Sequence, residues 1–179
     1  MKDFIYWVDG NDRIIFVDAN WLAFAQQNGM GRSNLKPVIG TSLWSHISDF
    51  TTRHFYQLLM TDVRNTSRPA TVPFRCDGPE CRRFMELRII GTSRKDLIFR
   101  SRLLREERRE RMALLDSDTP RSSEMLLMCL WCKKVKTSAW QEVEAAVNEF
   151  HLFEQDRMPM VSHVTCPACE SLGLRTILI

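Results

Sequence analysis

Phe4-Ile5-Tyr6-Trp7-Val8-Asp9-Gly10-Asn11-Asp12-Arg13-Ile14-Ile15-Phe16-Val17-Asp18-Ala19-Asn20-Trp21 decides how the first part of the chain folds. Two apolar, β-prone runs flank Asp9-Gly10-Asn11-Asp12, a turn of the kind that closes a hairpin, so 4–8 and 13–17 are expected as paired strands. Asp18-Ala19-Asn20 then breaks the pattern, and Asp18 or Asn20 is placed to cap a helix. Trp21, Leu22, Phe24 and Ala25 follow at helical spacing, with Asn28-Gly29 as the stop.

Further along, Val38-Ile39-Gly40-Thr41-Ser42-Leu43-Trp44 reads as a turn into a short helix. A longer helix is expected over 51–64, with Phe55, Leu58, Leu59 and Val63 on its faces. Strands are expected over 70–75, 83–90 and 97–104. The first two are joined by the turn-rich Cys76-Asp77-Gly78-Pro79-Glu80-Cys81, the last two by Gly91-Thr92-Ser93. Arg105 to Arg111 is almost wholly Arg and Glu, with acids interleaved as in a solvated helical connector with intrahelical pairs. Asp116 to Ser123, with Pro120, reads as a linker. The expected organisation is therefore a first domain over 1–104, a charged connector and linker over 105–124, and a small helical module over 125–179. No internal repeat of solenoid period is present.

Composition bounds the class. The 179 residues are 44% hydrophobic and 26% charged, as in an ordinary globular chain. A chain of this length has core enough not to need disulfides. It has no apolar run of roughly 20 residues for a membrane helix. Met1-Lys2-Asp3-Phe4 lacks the pattern of a secretory signal, so a reducing, cytoplasmic compartment is expected, with no membrane partner. The net charge of +3 hides an asymmetry. Residues 1–111 carry 19 Lys and Arg against 13 Asp and Glu, and residues 112–179 carry 6 against 9. A balance of +6 followed by one of −3 argues for two modules.

Four of the six cysteines form two pairs, Cys129-Leu130-Trp131-Cys132 and Cys166-Pro167-Ala168-Cys169. Two intervening residues let both thiols of a pair reach one ion about 2.3 Å away, and two pairs complete a tetrahedron around zinc. Four thiolates leave no open coordination position, so the expected zinc is structural, not catalytic. Pro167 suits the first turn of a helix, expected over 168–174. Lys133, Lys134 and Lys136 would offset the excess negative charge of four thiolates. His163, three residues before Cys166, is the alternative ligand, and a histidine beside the site is the preferred reading. A thioredoxin-like redox pair fits less well, because two pairs closing one loop suit a structural metal better. Between the pairs, Trp140, Val143, Val147 and Phe150 share one face of an amphipathic helix over 140–150, read as the module's core in preference to a docking surface.

Other candidate groups carry bland readings. His54 on the long helix is preferred as a surface histidine over a haem ligand. Cys76 and Cys81 flank a hairpin turn, with a redox sensor as the alternative. Asp9, Asp18 and Asp77 sit at turns or caps. No catalytic Ser/His/Asp order, phosphate-cradling glycine loop or paired carboxylates occur, and no enzymatic activity is expected. Residues 94–111 carry eight Lys and Arg against four acids, but the interleaving argues against direct nucleic-acid binding.

Ile14 to Trp21, together with Val38 to Trp44 and the strand order, makes residues 4–104 resemble a PAS domain. That likeness implies an α+β fold with a five-stranded antiparallel sheet and flanking helices. The tail, Cys129 to Val135, then Trp140, then Ser162 to Cys169, resembles a bacterial cysteine module that commonly follows PAS or response-regulator domains. The usual form of that module has Gly where Val164 stands and Ile where Thr165 stands. Together the resemblances imply bacterial signal transduction of the two-component kind, by conformational change, homodimerisation or binding of a protein partner. They also imply a small-molecule pocket of unknown ligand, with Trp21, Phe24, Trp44, Phe55, Phe74, Met85 and Leu87 as candidate lining. Ordinary core packing is the preferred reading of those seven. A zinc-containing nucleic-acid-binding regulator and a cysteine-based redox sensor are the alternatives.

Overall fold

The computed structural model describes residues 2–27, 38–47 and 50–171. The chain is α+β. In order it forms β1 (Asp3–Val8), β2 (Ile14–Val17), α1 (Ala19–Gln27), α2 (Phe50–Thr66), β3 (Ala70–Arg75), β4 (Cys81–Gly91), β5 (Leu97–Arg108), β6 (Arg121–Cys129), β7 (Val135–Lys136), β8 (Trp140–Gln141), α3 (Val143–Glu149) and β9 (Met158–Val164). Short 3-10 turns occur at Leu43–Ser45, Ala113–Leu115 and Leu152–Glu154.

The described residues divide into two compact units, one drawn from 2–73 and 85–104, the other from 74–84 and 105–171. One edge of this division falls between Leu104 and Arg105, while the turn-rich Phe74–Phe84 goes with the cysteine-bearing unit. β3, β4 and β5 each contribute residues to both units.

The first unit takes its form from a five-stranded sheet in the order β2-β1-β5-β4-β3. The hairpin expected from Asp9 to Asp12 is present, with β1 antiparallel to β2 and Trp7 opposite Phe16. Its turn is held by the Asp9 carboxylate, which accepts the N–H groups of Asn11 and Arg13, both at 2.9 Å. The left-handed residue of this turn is Asp12, at φ 60°, and not Gly10. Aspartate tolerates that conformation better than most residues. Asp18 caps α1 by accepting the Trp21 N–H at 2.7 Å, while Asn20 donates its side-chain amide to the Asp3 carbonyl. The stop expected at Asn28-Gly29 lies outside the described residues. α2 buries Leu59, Met60 and Val63 in this unit, and the strands contribute Val8, Met85, Leu87, Ile89, Leu97 and Phe99. The Tyr6 ring stacks on Phe99 at 4.5 Å and the Tyr56 ring on Phe99 at 5.9 Å. Burial first, and then the neighbouring Tyr56 hydroxyl, push the Tyr6 phenol well above its ordinary range.

The second unit differs from the helical module that was expected. It is built on a four-stranded sheet in the order β8-β7-β6-β9, against which α3 packs. Met125-Leu126-Leu127-Met128 has good helix formers, but β6 pairs in parallel with β9, Leu126 opposite Val161 and Met128 opposite His163. Tertiary pairing overrides the local preference. The supposed helical connector is strand as far as Arg108, the end of β5. Nor is 116–123 a free linker. Arg121 donates to the carbonyls of Leu114, Asp116 and Pro159, and Met112 and Leu114 enter the core. That core unites them with Met128, Val135, Val143, Ala146, Val147, Leu152 and Met158. Of the stripe expected on one helix, Val143 and Val147 are core and Phe150 packs against it, whereas Trp140 lies half-buried in β8, before the helix starts at Val143.

Candidate metal centre

The 33-residue stretch between Cys132 and Cys166, which stand 34 positions apart, is closed by sheet pairing. In the parallel register of β6 and β9, Cys129 stands opposite Val164, so β9 delivers Cys166 two residues past its end. The Leu130 N–H donates to the Val164 carbonyl at 2.9 Å and seals the two strand ends together. Parallel strands need a long crossover, here supplied by β7, β8 and α3.

Each pair has its own local frame. After Cys129 the chain turns through Leu130-Trp131-Cys132, with Lys133 N–H returning to the Cys129 carbonyl at 3.0 Å and Cys129 N–H to the Lys134 carbonyl at 2.7 Å. Lys133 holds the left-handed position of this turn at φ 59°, where glycine would be the unstrained choice. The second pair opens a helical turn over 167–171, with the Glu170 N–H donating to the Cys166 carbonyl at 2.9 Å. Pro167 stands at its first position, where the missing N–H costs no helical bond. Residues 172–174 of the expected helix lie outside the described residues.

The four sulfurs lie within 4.8 Å of one another, and Cys132 Sγ stands 3.8 Å from Cys166 Sγ. Ligands about 2.3 Å from a tetrahedral centre are separated by roughly 3.8 Å, so the cluster has the dimensions of a four-thiolate metal site. Such a group can bind an ion such as zinc. Cys129 and Cys166 are buried, and Cys132 and Cys169 half-buried.

Local electrostatics favour a thiolate at Cys129. The Cys132 thiol donates to it, and the backbone N–H groups of Cys132, Cys166 and Trp131 point at the same sulfur, that of Cys166 at 3.4 Å. Together they outweigh burial and lower its pKa to about 4. Donation to Cys129, and then burial, push Cys132 up. Burial, followed by the Cys129 charge, raises Cys169 to about 12. One sulfur is thus a ready-made anchor for a cation.

Of the other histidines and cysteines singled out in the sequence, none joins this group. His163 lies in β9 opposite Met128. His54 is exposed on α2 with its ring parallel to that of Phe50. Cys76 and Cys81 lie in the 74–84 hairpin, where the Cys76 N–H donates to the Arg83 carbonyl and Gly78 pairs with Cys81. Burial raises the Cys76 thiol, which lowers its nucleophilicity.

That hairpin is fastened to the cysteine turn. Arg75 N–H donates to the Trp131 carbonyl at 2.7 Å. The Arg75 guanidinium pairs with Asp77 and with Glu142 at 2.6 Å, and Arg109 pairs with Asp77 at 3.2 Å and Glu144 at 3.1 Å. Arg82 adds Glu144 at 2.9 Å. The Asp77 side chain is wholly buried. Sequence reading assigned Asp77 to turn-making, because nothing local announces two arginine partners, one of them 32 residues away.

The candidate pocket residues of the first domain are not all together. Met85 and Leu87 are buried on β4, and Phe24 packs on Phe4 at 4.7 Å. Trp21 meets the edge of Tyr6, and Trp44 donates its indole N–H to Asp12 at 2.9 Å. Phe55 is half-buried on α2, and Phe74 falls in the second unit.

Comparison with known proteins found no protein-family model and no curated protein that matches the chain.

Proposed function

We propose that the chain is a non-catalytic signalling or regulatory protein, in which a PAS-like sensory unit is coupled to a second unit held together by structural zinc. The convergence of Cys129, Cys132, Cys166 and Cys169 at tetrahedral dimensions carries the metal part of this reading. The coupling part is supported by β3, β4 and β5, each of which contributes residues to both units. A ligand or a protein partner acting on the first unit would reach the second along these shared strands. Output then passes through a protein partner or through homodimerisation, in a cytoplasmic, two-component type of pathway.

Zinc is preferred to a softer or redox-active metal because four thiolates suit it and a structural role needs no open position. The nucleic-acid alternative is weakened by pairing within the basic run. Arg105 meets Glu107, Arg109 meets Asp77 and Glu144, and Arg111 meets Asp116. Elemental analysis of the purified full chain tests the central claim. About one zinc per chain is expected, and a metal-free protein with four freely reactive thiols would sink it.

A further inference from the structure

Beside the metal centre, within the second unit, lies a cavity of about 260 Å³ whose walls divide by chemistry. Leu114, Leu115, Met128 and Val161 make an apolar side, while Lys133, Arg121, His163 and Asp77 supply polar groups. The volume falls just below the range of drug-sized sites, and so fits a metabolite-sized molecule.

The polar groups are not equivalent. Asp77 spends its carboxylate on Arg75 and Arg109, which leaves it little attraction for a cation. Arg121 donates to three carbonyls, and among the described residues no carboxylate lies within ion-pair distance of it, although Asp116 feels its charge. Lys133 is half-buried; Asp77 and the sulfurs of Cys76 and Cys129 act on it electrostatically, but none of them is given a hydrogen bond from its ammonium. Besides offsetting the thiolates, its ammonium N–H donors line a partly apolar cavity and can serve an anionic acceptor there. The left-handed turn at Lys133 is part of the cysteine turn, so the metal centre would hold this donor in place.

We propose that this cavity binds a small carboxylate with a short branched apolar body, the carboxylate on Lys133 and the body against Leu115, Met128 and Val161. It is a ligand site in the second unit, separate from any pocket of the PAS-like first unit. The placement of Lys133 rests on the metal reading above, so metal content is measured on the same samples.

The probe is isovalerate, titrated into the metal-loaded full chain with methyl-labelled Leu, Val and Met followed by NMR. Saturable shifts of the Leu115, Met128 and Val161 methyls are expected, with the uncharged isovaleramide binding roughly tenfold more weakly or worse. Lys133→Met is expected to weaken isovalerate by a similar factor with zinc content unchanged. Val161→Phe, which fills the apolar side, is expected to abolish the shifts in a protein that keeps its metal. Unmoved methyls at roughly 10 mM isovalerate, equal binding of acid and amide, or binding of inorganic phosphate instead would each overturn the assignment. A metal-free sample would show instead that the zinc reading had failed.

Discussion

The two units of the chain are held together in different ways. The first relies on apolar burial. Phe99, Leu59, Met60, Leu87, Ile89 and Leu97 are fully enclosed, and its salt bridges, such as Asp3 with Arg100 and Arg102, stay partly exposed. The second has strands β7 and β8 of two residues each and a core drawn mostly from loops and one short helix. It adds what a small core lacks: a four-thiol cluster and a buried carboxylate bridging two arginines. Where an amphipathic sheet and helix suffice, packing carries the stability. Where strands are too short, cross-links replace it.

The largest test of this contrast removes the thiol cluster. Cys129→Ser is expected to lose the metal and unfold the second unit, since structural zinc contributes about 10–16 kcal/mol of apparent binding energy. Hydrogen exchange should show lost protection at Met128 and Val147 and retained protection at Leu59 and Phe99. Equal loss in both units would erase the distinction drawn here. Next in size is Asp77→Ala, which strands two arginines in a buried site and is expected to cost about 3–5 kcal/mol, confined to the second unit. Its counterpart, Leu59→Ala, is expected to cost about 2–5 kcal/mol in the first unit by leaving a cavity. Denaturation with unit-specific probes would separate the two.

Smaller effects concern charge and turn geometry. Burial opposes ionisation of Glu144, but its own backbone N–H and Arg109 outweigh that and hold its carboxyl below the ordinary range. A depressed carboxylate stabilises above its unfolded pKa, and that contribution fades as pH falls through the folded value. Glu144→Gln should therefore flatten the acid limb of the second unit's stability, by about 1 kcal/mol or less for a partly exposed group. A steeper acid limb in the variant would contradict the sign. Finally, His151 is left-handed at φ 51°, just past the end of α3. His151→Gly is expected to stabilise the second unit by up to about 1 kcal/mol, read as a raised thermal midpoint.

Much of the first unit was legible because its signals are local. The hairpin turn, the Asp18 cap and the strand 70–75 depend on neighbouring residues, and β3 runs Ala70–Arg75 as expected. The ends of β4 and β5 were not, since β4 starts two residues early at Cys81, in the turn segment, and β5 runs on to Arg108, in the charged one. In the second unit the cysteine spacing was legible and the sheet was not. Nothing in Met158-Pro159-Met160 marks a strand until β6 lies beside it.

Which four cysteines form the cluster was legible in the sequence alone, because Cys-x-x-Cys spacing is a local geometric constraint. Tertiary structure alone decided that β6 and β9 are parallel and in the register that brings the two pairs together. It likewise decided that Asp77, in an ordinary turn, becomes the buried partner of Arg75 and Arg109, and that Lys133 faces a cavity. The reason is physical. A two-residue spacing limits where its own thiols can reach, whereas pairing partners distant in the chain are selected by the burial of a whole core.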